Sequence, residues 1–336
     1  MAELKAAQKK LARYRQSLLK AAVEGALTAE WRAQNKPAET GAQLLERILN
    51  ERRARWEAKQ LAKFKEQSKA PPKDWQKKYP EPAQPDTTDL PGLPVGWVWV
   101  SMEQLTEFVT SGSRGWADYY SESGATFIRS QNINKDRFDL TDIAFVNPPR
   151  SVEGARTRVR INDVLLTITG ANVGKVARVD FPIDEAFVSQ HVALLRLIET
   201  EVSDYVHLFL TSSAGGRRQL DDQAYGAGKP GLNLPQVAAV TVPLPGIQEI
   251  RNLIGTLRKR FESVADQEEA ITTSLNQCSN QRQNILRAAF AGQLVPQNPN
   301  DEPASVLLER IRAERANKAA KARPRTRKTK AAPDAE

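Results

Sequence analysis

From Ile247 to Leu294 the chain reads IQEIRNLIGTLRKRFESVADQEEAITTSLNQCSNQRQNILRAAFAGQL. Ile250, Leu257, Val264, Ile271, Cys278 and Ile285 fall every seventh residue, and Ile254, Phe261 and Leu275 sit four residues after three of them. That spacing puts one apolar seam on a long helix, the pattern of a coiled coil. About 45 residues of helix would span roughly 65 Å at ~1.5 Å per residue, and a seam that long needs a partner. It closes on Arg282-Gln283-Asn284-Ile285-Leu286-Arg287-Ala288-Ala289-Phe290-Ala291-Gly292. Near the start of the chain, Arg15-Gln16-Ser17-Leu18-Leu19-Lys20-Ala21-Ala22-Val23-Glu24-Gly25 repeats the pattern at an offset of 267 residues.

The repeat continues at an offset of 263, with Leu44-Leu45-Glu46-Arg47-Ile48 returning as Leu307-Leu308-Glu309-Arg310-Ile311. The first copy therefore carries four extra residues in its middle. Short-period repeats build solenoids, but these two copies are separated by a whole domain. Two like helical units flanking one globular insert imply pseudo-symmetry and a partner that meets the same surface twice.

Composition narrows the class. The 336 residues carry a formal charge of +9. Residues 1–80 hold 19 Lys/Arg against 9 Asp/Glu, and the last 22 hold 8 against 2, so the middle is slightly acidic. No run approaches the roughly 18 to 20 apolar residues of a membrane span. The first residues read as a polar helix rather than a signal peptide, and one cysteine fits a reducing compartment, so a cytoplasmic location is expected. Two histidines and one cysteine leave no zinc-ligand spacing, and no metal site is expected.

The pattern predicts an α+β chain, with one mixed domain between two repeated helical regions. Residues 1–62 form the first helical region. Leu4, Leu11 and Leu18 share a face, Gly25 is a breaker, and Thr40 with Gln43 makes a capping box for a second helix. Residues 63–92 hold a proline-rich linker that Trp75 and Tyr79 could dock. Residues 93–246 form the globular domain, residues 247–315 the long coiled-coil helix with the second copy, and residues 316–336 a disordered basic tail. Within the domain, Met102 to Val109 reads as a short helix and Phe187 to Arg196 as one strand with a polar triplet inside it. Along the seam, Leu18, Leu19, Ile250, Leu257, Val264, Ile271, Ile285, Leu286 and Phe290 are the expected partner-binding positions.

Little in the chain suggests catalysis, and no catalytic residue is assigned. Ala224 to Lys229 lacks the spacing of a phosphate loop, and Asn147-Pro148-Pro149-Arg150 ends in arginine where a base-flipping methyltransferase needs an aromatic. Polar residues placed at strand ends offer more. Gln and Asn make bidentate contacts to adenine, and Arg to guanine, which singles out Gln131, Asn132, Ser189, Gln190 and His191. His191 fits equally a hydrogen-bonded strand histidine.

The order of motifs resembles the specificity subunit of bacterial type I restriction-modification systems, as a half-subunit or a C-terminal split form. The resemblance rests on Pro94-Val95-Gly96-Trp97, Phe127 to Ile133, Asn162 to Gly170, Ser189 to His191, Val242 to Pro245 and the helical end around Phe290. It runs from residue 3 to 315. A full member has two recognition domains and two complete helical regions. This chain has one domain and a shortened first region, which implies pairing with a second copy or a complementary fragment.

What the resemblance implies is recognition without catalysis. The domain reads one half of a bipartite target in double-stranded DNA, and the helical repeats dock adenine methyltransferase subunits, which a restriction/translocase subunit then joins. S-adenosylmethionine and ATP with Mg belong to those partners, and this chain binds no cofactor. Arg129, Gln131, Asn132, Lys175, Ser189, Gln190, His191 and Lys229 become the DNA-facing candidates, with Arg156 and Arg158 on phosphates. Two other readings compete. One is a coiled-coil scaffold without DNA readout; the other is an enzyme built around Asp163, Asp221 and Asp222.

Overall fold

Gly25 turns the chain out of its first helix, α1 (Ala2–Val23), with φ +72°. A Cβ there would lie 2.6 Å from Pro94 Cγ and 3.1 Å from the Trp97 ring, so glycine is needed for close approach as well as for conformation. After α2 (Ala29–Gln34), Thr40 caps α3 (Gly41–Glu66) through the expected box. Gln43 N donates to Thr40 Oγ1 at 3.3 Å, and Thr40 N donates to Gln43 Oε1 at 2.9 Å. The proline-rich segment is pinned along α3, with Trp75 stacked on Trp56 at 5.8 Å and Tyr79 edge-on to it at 5.4 Å. The buried Arg52 guanidinium donates to Tyr79 Oη at 2.6 Å and to the Thr106 carbonyl at 3.1 Å, joining helix, linker and domain.

This computed structural model describes residues 1–148, 154–225, 231–296 and 298–321. The domain opens with β1 (Val98–Ser101), α4 (Met102–Leu105) and β2 (Thr106–Ser111). The predicted helix Met102 to Val109 is thus cut short. Its capping box forms, but Thr106, Phe108, Val109 and Thr110 favour a strand and pair with β11. Next come β3 (Tyr120–Ser121), β4 (Ala125–Ile128), the hairpin β5 (Ile133–Asn134) and β6 (Arg137–Phe138), β7 (Ala144–Val146) and the short α5 (Gly154–Thr157). Then follow β8 (Val164–Thr167), β9 (Val176–Arg178), β10 (Ala186–Val188), β11 (Val192–Leu197), α6 (Ser203–Thr211), α7 (Gly216–Gln223), α8 (Leu234–Ala239) and β12 (Thr241–Leu244).

One four-stranded sheet has the order β2-β11-β8-β9, and another β10-β4-β7-β3. The run Phe187 to Arg196 is therefore two strands in two sheets, and the polar triplet is the crossing between them. β8 and β11 are buried on both faces, which explains their unbroken apolar runs. Leu165 and Leu194 face Ile128 and Val188 of the second sheet, while Leu166 and Leu195 share a core with Tyr205 and Phe209 of α6. β1 and β12 pair antiparallel and bring the two ends of the domain together.

A buried histidine sets a pH limit on this packing. His207 of α6 places Nε2 3.1 Å from the Asp136 carbonyl oxygen, and burial holds its imidazole below the ordinary 6.5. The unfolded chain then takes the proton more readily than the folded one. Stability should fall below about pH 6.5 and level off once the folded ring also protonates. His207→Gln keeps a donor without a charge, so its melting temperature should drop less than the wild type's over that range. Parallel pH curves for the two would remove His207 as the source.

Residues 2–271 form one compact unit, and the described residues from Thr272 on, with Met1, form another. The long helix α9 (Ile247–Phe290) starts in the first. There Ile250, Leu257 and Val264 are buried, as are Leu18 and Leu19. Arg15 lies 3.7 Å from Glu268 with its guanidinium over Phe261, and Thr28, just beyond α1, donates to Glu249 Oε1 at 2.6 Å, so α1 runs antiparallel to α9. These five residues were expected to bind a partner. They are instead used up within the chain, because the first helical copy and the domain already cover that half of the seam; Ile271 stays half-buried.

In the second unit Gly292 repeats the left-handed turn of Gly25, with φ +70°. Ile285, Leu286 and Phe290 are 57%, 46% and 91% exposed, where their counterparts Leu18, Leu19 and Val23 are buried. α10 (Ala304–Lys321) extends past the expected boundary at 315 into the segment read as a disordered tail, and residues 322–336 lie outside the described residues. No helix among the described residues is long and apolar enough to cross a membrane.

Candidate nucleic-acid interface

Strand direction gathers the site. β4 and β10 run parallel, with Val188 opposite Ile128, so both end at one edge. β2 and β8 run antiparallel to β11, with Ser111 opposite Ala193 and Thr167 opposite Val192, so they end where β11 begins. Ser189-Gln190-His191 joins β10 to β11 at that same end. Backbone bonds sew the ends together: Ser189 N to Ile128 O at 2.9 Å, Gly112 N to Ser189 O at 3.2 Å and Ile168 N to His191 O at 2.9 Å. A Cβ on Gly112 would fall 2.0 Å from the Val188 carbonyl oxygen, so this closure requires glycine.

Lys175 is drawn in through its carbonyl, which accepts Thr167 N at 2.9 Å. Asn172 Nδ2 donates to the Ser130 and Ile133 carbonyls, each at 3.2 Å, and ties the β8–β9 turn to the segment after β4. Seven of the ten DNA-facing candidates therefore share one end of the domain: Arg129, Gln131, Asn132, Lys175, Ser189, Gln190 and His191. Lys229 lies outside the described residues. Arg156 and Arg158 lie along the flank, Arg156 donating to Thr110 Oγ1 at 2.7 Å and Arg158 bridging Phe187 of β10.

Their roles divide. Gln190 and His191 are half-exposed, with no side-chain partner among the described residues. Asn132 is only 3% exposed; its Oδ1 accepts Arg129 N at 3.0 Å and its Nδ2 donates to the Asp139 and Asp142 carbonyls at 3.0 and 2.8 Å. Asn132 is a strut for the loop, since every polar atom it has is already bonded. Ser189 is equally buried, which removes it as a direct reader.

Arg129 and Gln131 converge on Asp142, Gln131 Nε2 at 2.7 Å and the Arg129 guanidinium at 3.1 Å. These bonds, Gln131's first, hold the Asp142 carboxyl below the usual range. The pair is pre-oriented, but the arginine's charge is balanced locally. Three buried atoms without a hydrogen-bond partner among the described residues, Arg129 Nε, Thr167 Oγ1 and Ser189 Oγ, lie in this region.

Sequence reasoning missed two residues here. Arg114 is exposed two residues beyond Gly112, and Tyr225 is 61% exposed beside the Thr169–Gly231 bridge. The glycines around Arg114 marked a loop, but not where that loop would close. Asp163, Asp221 and Asp222 do not form a centre. Asp163 is buried on Arg196, and Asp222 pairs with Arg218.

No family model matches the chain. It is 28% identical over 203 residues to the type I restriction enzyme EcoBI specificity subunit of Escherichia coli, covering 58% of this chain and 42% of that protein. Its relatives are type I restriction specificity subunits. The EcoDI specificity subunit of Escherichia coli is 24% identical over 320 residues, covering 91% of this chain and 61% of that one. The chain thus spans about half the length of the curated specificity subunits it matches. A solved structure from work on complex assembly and conformational transition of the type I R-M system shares the fold. It has a TM-score of 0.50, 20% identity and coverage of 76% of this chain and 58% of that one.

Proposed function

We propose that this chain reads one half of a bipartite DNA target for a type I restriction-modification complex and does no chemistry itself. The convergence of strand ends from two sheets carries this reading. It makes a rigid surface on which Gln131, Gln190 and His191 can meet base edges in a major groove. In this reading the methyltransferase subunits bring S-adenosylmethionine, and the restriction/translocase subunit brings ATP and Mg. The scaffold alternative is disfavoured, because half of the seam is spent on holding the recognition domain.

The second helical copy fits a complementary specificity fragment better than a second copy of this chain. In the first copy Leu18, Ala22 and Val23 share a core with Trp97 and Tyr205. A second copy would present a seat already filled by its own residues. Position 41 adds a steric test. Its counterpart at the 263-residue offset is Ala304, yet a Cβ at Gly41 would fall 2.0 Å from the Leu244 carbonyl oxygen. The second copy therefore suits a domain shaped differently from this one.

Adenine-methylation sequencing in a methylation-free host, with a type I adenine methyltransferase subunit co-expressed, tests the reading. An asymmetric bipartite motif is expected only when a complementary fragment is supplied. A palindromic motif from this chain alone would reverse the choice of partner, and no methylation with soluble, associated proteins would remove the DNA reading. Gln190→Ala and His191→Ala should each cost about 1–3 kcal/mol of discrimination and relax the motif at one position. Both should leave the melting temperature unchanged.

A further inference from the structure

A cleft of about 670 Å³ lies between the end of α3 and β2, lined by Lys59, Lys63, Arg156, Arg160 and Arg196 with Glu107 the one carboxylate among its lining residues. Lys59 and Lys63 of α3 face Arg156, Arg160 and Arg196 of a domain whose residues 93–246 hold only 14 Lys/Arg against 17 Asp/Glu, so the cleft gathers cations from both. Two of the five are spent. Lys59 pairs with Glu107, and Arg196 with Asp163 at 2.7 Å. Both also flank the Phe108 ring, Lys59 Nζ at 5.6 Å and the Arg196 guanidinium at 5.1 Å, which forms an apolar floor between charges. Arg156 is held on Thr110. The exposed Lys63 and Arg160 side chains donate to no acceptor among the described residues.

The cleft's place along β2 says what it serves. Thr110 precedes Ser111, whose neighbour Gly112 is sewn to the reading surface at Ser189. At ~3.3 Å per strand residue, the cleft begins within roughly 10 Å of that surface, well inside the reach of a duplex lying on it. Lys63, and Arg160, whose backbone N donates to Asp163 while its side chain stays exposed, offer cationic heads beside a base-reading surface and match the chemistry of a phosphodiester strand.

We propose that this cleft binds the DNA backbone where the duplex leaves the strand-end surface, and that α3 of the first helical region is thereby part of the DNA interface. The inference rests on the DNA reading above. Its test is the salt dependence of binding of the full chain to a mixed-sequence duplex. Each lost phosphate contact lowers the slope of log K against log salt by about 0.9, so Lys63→Ala with Arg160→Ala should lower it by about 1.8. The weakening should be equal on all sequences. Lys5→Ala with Lys9→Ala, on the exposed start of α1, should change nothing.

An unchanged slope in the cleft variant, with the wild type binding normally, overturns the cleft and leaves the DNA reading intact. Failure of the wild type to bind any duplex at low salt overturns both. Inorganic phosphate, compared with sodium chloride at equal ionic strength, separates a backbone site from a free-anion site. Extra competition by phosphate that the double variant abolishes would reassign the cleft to a free anion and overturn the backbone assignment.

Discussion

Leu18→Asp is expected to cost about 4 kcal/mol or more of folding free energy, and Ile285→Asp less than about 0.5 kcal/mol. The two residues occupy the same position of the repeat. Leu18 is 4% exposed in a core with Trp97, Tyr205 and Leu257, whereas Ile285 is 57% exposed. A carboxylate at 18 loses the leucine's contacts and has no cation in that core to meet it. At ~2–4 °C per kcal/mol for a domain of this size, the melting temperature should fall by about 8–16 °C. Hydrogen exchange would show whether α1 detaches first or the whole unit opens. Ile285→Asp should act elsewhere, abolishing association with a complementary fragment while melting as the wild type does. If that variant associates normally, the second copy is not the docking surface.

That contrast shows what a heptad pattern can and cannot say. The seven-residue spacing located α9 and the 267-residue repeat located both helical copies, because periodicity is written locally. Which half of the seam is free was not legible. Leu257 and Ile285 obey the same spacing, but only the tertiary fold brings α1 over one of them. The same limit governed the site. Ser189, Gln190 and His191 stood out as polar residues within an apolar run, yet only the split into two sheets shows that Ser189 is buried while the other two are half-exposed. Asn132 looked like a base reader because its chemistry allows it. Its commitment to the Arg129, Asp139 and Asp142 backbone depends on a loop closure that no spacing rule encodes. Met102 to Val109 reads as one helix, but only its first turn, capped by Ser101, forms one; from Thr106 on, long-range pairing with β11 takes over.

Asp163→Ala should be the most damaging polar substitution in the domain, at about 3–5 kcal/mol. Both Asp163 oxygens are used, accepting Arg196 Nε at 2.9 Å, Arg196 Nη2 at 2.7 Å and Arg160 N at 2.7 Å. Removing the carboxylate strands a buried guanidinium and frees the segment that carries Arg156, Arg158 and Arg160. Arg196→Met should behave differently. It strands a carboxylate that burial already pushes above its ordinary 3.8, with Arg196 the main opposing influence. Without the arginine that pKa rises further, so the folded variant binds a proton that the unfolded chain releases. By linkage the variant's deficit should shrink as pH falls from neutrality towards the ordinary carboxylate range, by at most ~1.4 kcal/mol per unit, while the Asp163→Ala deficit does not shrink. The double substitution should cost less than the sum of the singles, because no charge is left unpaired. Denaturant titrations of the four proteins at two pH values check this. An Arg196→Met deficit that is the same at both would mean that Asp163 finds another cation when Arg196 is gone, and Arg160, whose amide it already holds, would be the one to substitute next.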